Sequence, residues 1–375
     1  MIKVNTLINL LKKNKSDFFT GVPDSVLKEI SYFLEKKFKK KNHIIAHNEG
    51  GAIGIGTGYY LKTNKIPCIY FQNSGLGNAV NPLVSMAHKN IYSIPMLLLI
   101  GWRGETKAIK DEPQHLLQGK ITEKMLKLMN IKYCILNNQK DFKKLEKIID
   151  YSKKKTLPIA CIIKKKSNKK KNKIKKKNYN KSKLYRYEII DFIIRKSKRN
   201  LKIFSTTGYT SRELYQLRKL KKSSVKDFLN VGAMGHTSMI ALGYSLKNKK
   251  KNVLCLDGDG SLIMHMGSLP VIGENSIKNF KHIVFNNRQH ESVGGQKTPQ
   301  EKTDLKKLSL SCGYKRYFSS KSLRDFKLKY PLFLKSSGPS FFEIVISSGS
   351  IKNLERPKNF KIIKKLFNRW KKKEK

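Results

Sequence analysis

The sequence has few acidic residues and few arginines for its length. Only 26 of its 375 residues are Asp or Glu, against 80 Lys or Arg, which gives a formal net charge of +54. Only 11 of the basic residues are Arg, although Arg is the residue whose forked side chain suits base and phosphate recognition. Lys, Asn and Ile are abundant in every segment. We therefore interpret the charge as a solvated lysine surface rather than a nucleic-acid-binding patch.

Cysteines and long apolar runs are also scarce. The five cysteines form no CxxC pair, which predicts buried free thiols in a reducing compartment. The longest apolar stretch, residues 91–102, contains Pro95 and is too short to span a bilayer. The first 18 residues carry too many lysines for the apolar core of a signal peptide. We expect a cytoplasmic protein without a membrane segment.

What the chain does contain is two α/β halves on either side of a lysine-rich stretch. Residues 164–183 hold twelve Lys and no acid, so like-charge repulsion predicts an extended linker there. We predict a first domain at 1–165, a linker at 166–183 and a second domain at 184–375. Alternating strands and helices predict that each domain is a mainly parallel sheet flanked by helices.

Short apolar, β-branched runs predict the strands. In the first half we expect strands near residues 18–21, 44–45, 68–71, 96–100 and 159–163, and in the second near 202–205, 253–256, 282–285 and 341–345. We expect an early helix over residues 4–15 and another over residues 261–272.

Polar residues follow two of these strands in the second half. Strand, helix and strand within about 35 residues form a βαβ unit, so its two strands should be parallel neighbours. Asp259 and the pair Asn286-Asn287 would then lie at the same carboxyl edge of the sheet, where ligands bind. Carboxylate and amide oxygens at that edge suit a hard cation such as Mg²⁺, which often carries a phosphate.

Gly258-Asp259-Gly260, twenty-five further residues and Asn286-Asn287 resemble the signature of thiamine-diphosphate-dependent enzymes. The resemblance implies that Asp259, the Asn287 side chain and the Gln289 carbonyl bind Mg²⁺, which in turn holds the cofactor's diphosphate. It also implies that the cofactor is contacted by Gly258, Gly260 and Ser261. The alternative is a turn with two glycines and an unrelated Asn-Asn loop.

Two more positions fit the same family. Glu49, in AHNEGGAIGIGTGYYL, resembles the glutamate that activates the cofactor's aminopyrimidine ring. Its alternative role is an acid favoured by the helix dipole. Met234, in GAMGHTSMIALGYSL, matches the position where a bulky apolar residue bends the cofactor, and Gly235 beside it is a further candidate for cofactor contact. The alternative for Met234 is an ordinary core methionine.

A finer resemblance, to the phosphonopyruvate decarboxylases, extends over nearly the whole chain. The matching stretches are FFTGVPDS (18–25), NEGGAI (48–53), QNSGLGNAVNPL (72–83), GWRGE (101–105), KDEPQH (110–115), TTGYTSREL (206–214), GDGSLIMHMGSL (258–269) and HESVGGQ (290–296). This resemblance implies decarboxylation of 3-phosphonopyruvate to phosphonoacetaldehyde and carbon dioxide, in phosphonate biosynthesis.

The resemblance also implies site roles outside the metal motif. Ser25, Arg103, His115 and His290 lie on matching loops and are candidates for binding the substrate's phosphonate. Asp24 is a further substrate-site candidate, which would orient one of these residues or shuttle protons. His115 and His290 are candidates, with Glu49, for catalysis, and Glu291 is a further candidate proton donor beside His290. The alternatives are a surface charge for Arg103, a helix cap partner for His115 and a loop histidine for His290.

Three rival functions remain open at this stage. Sulfopyruvate decarboxylases share the architecture and differ in the anion, and Asp24 favours phosphonate. A carboligase would use the same cofactor chemistry to join two carbonyl compounds. A protein that binds nucleic acid through its lysines would bind DNA with a steep salt dependence. In the family, the cofactor lies between two subunits, which implies a homodimer or larger homo-oligomer.

Overall fold

The computed structural model describes residues 2–39, 41–105, 111–164, 180, 182–197, 201–223, 226–248, 251–300, 302–358 and 360–369. The chain divides into two compact units. Unit 1 comprises Met1–Lys175 with Val293–Gln296, and unit 2 comprises Lys176–Ser292 with Lys297–Lys375. Most of the predicted linker, residues 166–183, lies outside the described residues.

Unit 1 alternates strands and helices. Its strands are β1 (Phe19–Gly21), β2 (His43–Ile45), β3 (Cys68–Gln72), β4 (Leu97–Trp102), β5 (Lys132–Leu136) and β6 (Ile159–Lys164). Its helices are α1 (Val4–Lys13), α2 (Lys28–Lys37), α3 (Glu49–Thr63), α4 (Leu76–Pro82), α5 (Pro113–Leu128) and α6 (Phe142–Lys155).

The unit 1 strands form one parallel sheet in the order β2-β1-β3-β4-β6-β5. Its central strand β4 is buried along its whole length, as its apolar sequence predicts for a sheet covered on both faces. On one face, Leu11 of α1 and Ile149 of α6 pack against Tyr70 and Leu99. On the other face, α3 approaches β3 so closely that a Cβ at Gly56 would lie 2.8 Å from Ile69 Cδ1.

Unit 2 repeats the alternation. Its strands are β7 (Leu201–Ser205), β8 (Phe228–Leu229), β9 (Asn252–Gly258), β10 (Phe280–Asn286), β11 (Arg316–Ser320) and β12 (Ser340–Val345). Its helices are α7 (Arg186–Lys196), α8 (Tyr209–Leu220), α9 (Thr237–Leu246), α10 (Asp259–Met264), α11 (Ser268–Asn275), α12 (Leu305–Ser311), α13 (Leu323–Lys335) and α14 (Phe360–Arg369).

The unit 2 strands form a second parallel sheet in the order β11-β12-β10-β9-β7-β8. Alternate residues of β9 face two separate apolar clusters. Leu254 packs with Ile190 of α7 and Phe326 of α13, whereas Cys255 packs with Leu242 of α9. The prediction of two mainly parallel sheets flanked by helices is confirmed.

One local prediction for the second half of the chain is wrong, and the expectation for the cysteines is confirmed. The single helix expected over residues 261–272 is wrong, because α10 ends at Met264 and α11 begins at Ser268. Gly267 lies at this break and has a low helix propensity. All five cysteines are free thiols, and four are buried, as expected. Across the described ranges, no helix combines the length and apolar character needed to cross a bilayer.

Candidate functional site

Glu49 begins helix α3, directly after strand β2. The Asn48 side chain caps this helix by accepting a hydrogen bond from Gly51 N at 2.8 Å. Glu49 is only 6% exposed, and its Oε2 accepts a hydrogen bond from Asn78 Nδ2 at 2.7 Å. Burial raises the pKa of Glu49, and the bond from Asn78 opposes that rise. The result is a buried carboxyl that can keep a proton nearer neutral pH than an exposed one.

Gly75 makes room for Glu49. A Cβ at position 75 would lie 2.2 Å from Glu49 Oε1, far inside van der Waals contact. Gly75 and Asn78 both belong to the stretch QNSGLGNAVNPL, so one segment shapes and holds the carboxyl. Sequence reasoning matched this stretch without assigning it a role.

Asp24 lies in the loop between β1 and α2 and is 2% exposed. Its Oδ2 accepts backbone hydrogen bonds from Val26 N at 3.0 Å and Leu27 N at 2.9 Å. Its buried Oδ1 has no hydrogen-bond partner among the described residues. Burial raises the pKa of Asp24, against the opposing effects of these backbone bonds and of the Arg103 charge. One carboxyl oxygen is thus fixed by backbone while the other remains available.

Arg103, at the end of β4, is held in place by an acid that the sequence analysis did not single out. Its Nε donates to Asp111 Oδ2 at 2.7 Å, and its Nη2 donates to Asp111 Oδ1. Its Nη1 donates to Ser25 Oγ at 3.1 Å. Burial alone would raise the pKa of Asp111, but the Arg103 guanidinium lowers it well below its usual range. Arg103 therefore joins the predicted Ser25 in one cluster, with part of its charge already neutralised.

His115 lies near this cluster in the first turn of α5. Burial and the Arg103 charge lower the pKa of His115. Gly104 has φ +76°, and a Cβ there would lie 1.8 Å from the His115 carbonyl oxygen. A Cβ at Gly119 would lie 1.9 Å from the Gly104 carbonyl oxygen. Two glycines thus allow the loop after β4 to touch the backbone of α5.

In unit 2, Asp259 follows β9 and the Asn pair ends β10. The two strands are parallel neighbours, with Gly258 opposite Phe285 in the register, as predicted. Asp259 is 3% exposed, and its Oδ2 accepts a hydrogen bond from Thr298 Oγ1 at 2.8 Å. Burial raises the pKa of Asp259 to about 7, against the opposing bonds from Thr298 and backbone N–H groups. A buried acid of this kind is suited to a nearby cation.

Asn287 lies at the same edge with its amide held at both ends. Its Nδ2 donates to Glu291 Oε2 at 3.1 Å, and its Oδ1 accepts from Gln289 N at 3.0 Å. Arg288, between them, has φ +57°, so the chain turns sharply there. A carboxylate and an amide oxygen at adjacent strand ends suit a hard divalent cation.

Five other predicted residues meet beside Asp259. Ser261 Oγ lies 2.8 Å from Thr206 Oγ1 and accepts a hydrogen bond from Gly235 N at 3.1 Å. A Cβ at Gly260 would lie 3.0 Å from the His290 ring and 3.4 Å from Met234 Cε, so both side chains border this glycine. A Cβ at Gly258, by contrast, would meet nothing within 4 Å, which indicates open space there.

His290 is buried beside this glycine. It is 7% exposed, and its Nε2 has no hydrogen-bond partner among the described residues. Burial lowers the pKa of His290 to about 4, so its ring is neutral at pH 7. A neutral imidazole can accept a proton or donate its single N–H, but it carries no charge with which to bind an anion.

Glu291 belongs to a buried ionic network that sequence reasoning missed. Its Oε1 accepts from Gly349 N at 2.6 Å, and Arg186 Nη1 lies 3.5 Å from its Oε2. Arg186 also donates from Nε to Glu213 Oε2 at 2.9 Å. All three charged side chains are at most 6% exposed. The signal available in the sequence was Glu213 in the matched stretch TTGYTSREL.

A second buried polar cluster lies inside the unit 2 sheet. Cys255, Asp257 and His282 bring possible metal-ligand atoms within 4.8 Å of one another. However, His282 already bonds Tyr314 OH at 2.9 Å and Asp257 Oδ2 at 3.4 Å, and Asp257 Oδ1 accepts from Gly258 N. These groups satisfy one another's hydrogen bonds, so we assign the cluster no ligand.

Comparison with known proteins agrees with this arrangement. A model of the N-terminal thiamine pyrophosphate-binding domain of thiamine pyrophosphate enzymes matches residues 3–126, and a model of their C-terminal binding domain matches residues 206–344. These two matches identify the class as thiamine pyrophosphate enzymes.

Individual relatives refine the class. A phosphonopyruvate decarboxylase from Streptomyces viridochromogenes is 30% identical, with 84% of this chain and 81% of the relative covered. One from Streptomyces hygroscopicus is 29% identical, with 84% and 80% covered. A sulfopyruvate decarboxylase from Methanosarcina acetivorans is 25% identical, with 92% and 91% covered. The chain belongs to the thiamine-diphosphate-dependent decarboxylases of the phosphonopyruvate and sulfopyruvate type and is therefore a lyase.

Proposed function

We propose that this decarboxylase acts on 3-phosphonopyruvate, releasing carbon dioxide and phosphonoacetaldehyde, with thiamine diphosphate bound through Mg²⁺. The two Streptomyces relatives support this substrate, and they match more than four-fifths of the chain. The observation that carries the proposal is the unit 1 cluster of Asp24, Ser25 and Arg103, which combines an acceptor with donors for one tetrahedral anion.

The choice between phosphonate and sulfonate rests on Asp24. A phosphonate can keep one proton near neutral pH, as phosphate esters do, whereas a sulfonate is fully ionised. The available Oδ1 of Asp24 could accept a hydrogen bond from a P–OH group, but it would repel a sulfonate oxygen. Arg103 and Ser25 would donate to the remaining oxygens. This arrangement favours phosphonopyruvate.

In the proposed site, Asp259, Asn287 and the Gln289 carbonyl hold Mg²⁺, and Gly258, Gly260, Ser261, Met234 and Gly235 contact the cofactor. When bound, thiamine diphosphate accepts the electron pair left by the departing carboxylate. Glu49 would share a proton with the aminopyrimidine ring, for which its raised pKa is suited. His115 and His290 would relay the proton that replaces carbon dioxide.

We also propose that the 1–165 and 184–375 regions act as pyrimidine-binding and diphosphate-binding domains of a homodimer or larger homo-oligomer. The matches to N- and C-terminal binding domains support the division of roles. Light scattering on the purified protein tests the oligomeric state, and a monomeric active enzyme would contradict it.

The test of the function is a release assay with both substrates. Carbon dioxide should be released from 3-phosphonopyruvate only when thiamine diphosphate and Mg²⁺ are both present, and phosphonoacetaldehyde should accumulate. Sulfopyruvate is the second candidate, favoured by the Methanosarcina relative that matches 92% of the chain. A higher kcat/KM for sulfopyruvate would reverse the assignment.

A further inference from the structure

The buried Glu291 carboxylate offers a way to orient Asn287. An amide has two opposite ends, an oxygen that accepts and binds cations and an NH₂ group that only donates. A metal ligand of this type must therefore present its oxygen, and a rotation by half a turn would present the wrong atom.

Glu291 and the backbone N–H of Gln289 together remove that ambiguity, because Gln289 N donates to Asn287 Oδ1 at 3.0 Å while Glu291 accepts from the other end of the amide. An ionised carboxylate accepts hydrogen bonds and donates none, so only the Nδ2 end of Asn287 can bond it. Asn287 Nδ2 lies 3.1 Å from Glu291 Oε2, which directs Oδ1 to the opposite side. A rotated amide would set oxygen against oxygen in a buried site, where repulsion is costly.

Glu291 is itself held on both of its carboxyl oxygens. Gly349 N donates to its Oε1 at 2.6 Å, and Arg186 stands 3.5 Å from its Oε2. Arg186 is anchored in turn by Glu213 and by the Gly349 carbonyl oxygen at 3.3 Å. The orienting carboxylate is therefore supported by residues of α7, α8 and the chain after β12.

The neighbouring Asn286 shows the same arrangement with a different acid. Its Nδ2 donates to Glu343 Oε1 at 2.7 Å. Each amide of the Asn pair thus has its own glutamate, and only one of the two amides is assigned to the metal. Glu343 therefore provides a matched control for Glu291.

We propose that Glu291 is a positioning residue that fixes the Asn287 amide with its oxygen toward Mg²⁺. This inference rests on the proposed function, which makes Asn287 a ligand. It gives Glu291 a role different from proton donation to the substrate. The buried Arg186–Glu213 pair supports the same role by holding Glu291.

The first test is the Mg²⁺ affinity of the full-length protein, measured by calorimetry with saturating thiamine diphosphate. Glu291→Gln should weaken Mg²⁺ binding about 10- to 100-fold, because Gln at position 291 can bond either end of the amide and leaves only the Gln289 N–H to select its orientation. Glu343→Gln makes the same change at the glutamate that bonds Asn286. It should leave the Mg²⁺ affinity within about threefold of the wild type. Unchanged Mg²⁺ affinity with a lower kcat in Glu291→Gln would overturn the proposal.

The second test exchanges the amide and the carboxylate between positions 287 and 291. In Asn287→Asp with Glu291→Gln, the Gln amide can donate to an Asp carboxylate, and the net charge is that of the wild type. The double variant should bind Mg²⁺ at least about tenfold more tightly than either single variant. No gain over Asn287→Asp alone would overturn the proposal, even if Glu291→Gln by itself did not fold.

A third variant separates this inference from the proposed function. Asn287→Ala should weaken Mg²⁺ binding if Asn287 is a ligand. If it leaves the affinity unchanged, the metal assignment itself fails and the role of Glu291 fails with it. If it weakens binding while Glu291→Gln does not, only the positioning role is wrong.

Discussion

The two units share one topology and carry different polar residues at their strand ends. Read from β8, the unit 2 sheet runs β8-β7-β9-β10-β12-β11, which is the same pattern as β2-β1-β3-β4-β6-β5 in unit 1. In chain order, the second strand of unit 1 is β2, which is followed by Glu49. The second strand of unit 2 is β8, which is followed by Met234. A common scaffold therefore fixes where strand ends lie, and the residue types at those ends decide the function.

The two central strands show the contrast most clearly. In unit 1, Asn73 follows β3 and bonds both backbone groups of Arg103 after β4, at 3.0 and 2.9 Å. The two strand ends are thereby tied to each other. In unit 2, the corresponding positions hold Asp259 and Asn287, whose oxygens form a candidate cation site. In unit 1 this edge is tied together by hydrogen bonds from the Asn73 side chain, whereas in unit 2 it carries the proposed metal ligands.

The largest expected effect comes from the unit 1 acid. Glu49→Gln should lower kcat about 1,000-fold, because removing a proton-transfer group commonly costs 100- to 10,000-fold. Mg²⁺ and thiamine diphosphate affinities should stay near wild type, because the proposed diphosphate and metal ligands are in unit 2. Steady-state kinetics and calorimetry on the same preparation measure both. A variant that lost cofactor binding instead would break the proposed division of roles.

The reciprocal change is in unit 2. Asp259→Asn should weaken Mg²⁺ binding about 100-fold, since the amide keeps an oxygen but loses the charge. Excess Mg²⁺ should restore part of its activity, whereas Glu49→Gln should not respond to Mg²⁺. Activity measured across a Mg²⁺ titration distinguishes the two, and identical curves for both variants would contradict the comparison.

Substrate choice should depend on unit 1. Asp24→Asn can keep the backbone bonds to Val26 and Leu27 while turning the available acceptor into a donor. We expect the kcat/KM ratio of phosphonopyruvate to sulfopyruvate to fall about 10- to 100-fold. Competition between the two substrates measures this ratio directly. A ratio that stayed constant would remove Asp24 from substrate recognition.

Sequence reasoning predicted the centres of both sheets and missed three of their four edges. Strands such as β4 and β10 are buried on both faces, and each contains an apolar run, LLLI in β4 and IVF in β10, that is not interrupted by polar residues. The missed strands β5, β8 and β11 lie at sheet edges. Edge strands of this kind need fewer apolar residues, so RYFSS in β11 carries a weak strand signal.

In the candidate site, too, the sequence predicts some contacts and not others. Asp259 and Asn287 could be placed together because adjacent parallel strands end at one edge, and a single βαβ unit spans both. The partners of Arg103 could not, because nothing in the residue pattern shows that Asp111, and at 3.7 Å also Glu112, lie beside its guanidinium. The Arg186–Glu291 contact joins residues 105 positions apart, and it arises only when α7 packs beside the loop after β10.

A smaller effect should follow from the space around Glu49. Gly75→Ala would press a methyl group against Glu49 Oε1, so we expect kcat to fall about tenfold. Gly77→Ala is the matched control, because a Cβ at that glycine meets nothing within 4 Å. Kinetics of the two variants decide the point. Equal rates would show that Glu49 tolerates displacement.

The smallest effect concerns the stability of unit 1 at low pH. Burial lowers the pKa of His43 to about 4, while its Nε2 stays within 2.8 Å of Tyr70 OH. Because the unfolded histidine titrates near 6.5, the free energy of unfolding should fall as the pH drops from 6.5 toward 4, by up to about 1.4 kcal/mol per pH unit. Above pH 6.5 this contribution is constant.

His43→Gln should remove that slope, as denaturation at several pH values would show. Tyr70→Phe is its control, because it removes the hydroxyl yet leaves His43 buried, so the slope should persist. Hydrogen exchange should show that the part of the acid-induced loosening that depends on His43 lies in β1 and β2. Equal loosening of β1 and β2 in the wild type and in His43→Gln would contradict the assignment.

The glycine contact between the loop after β4 and α5 has a consequence for engineering. Gly104 and Gly119 bring two backbones together with no side chain between them. The loop after β4 and helix α5 therefore cannot move any closer to each other. A variant designed for longer or branched 2-oxo acids would therefore have to enlarge its substrate site by substitutions to smaller side chains. Attempts to shift the helix would instead disturb the Arg103 anchor.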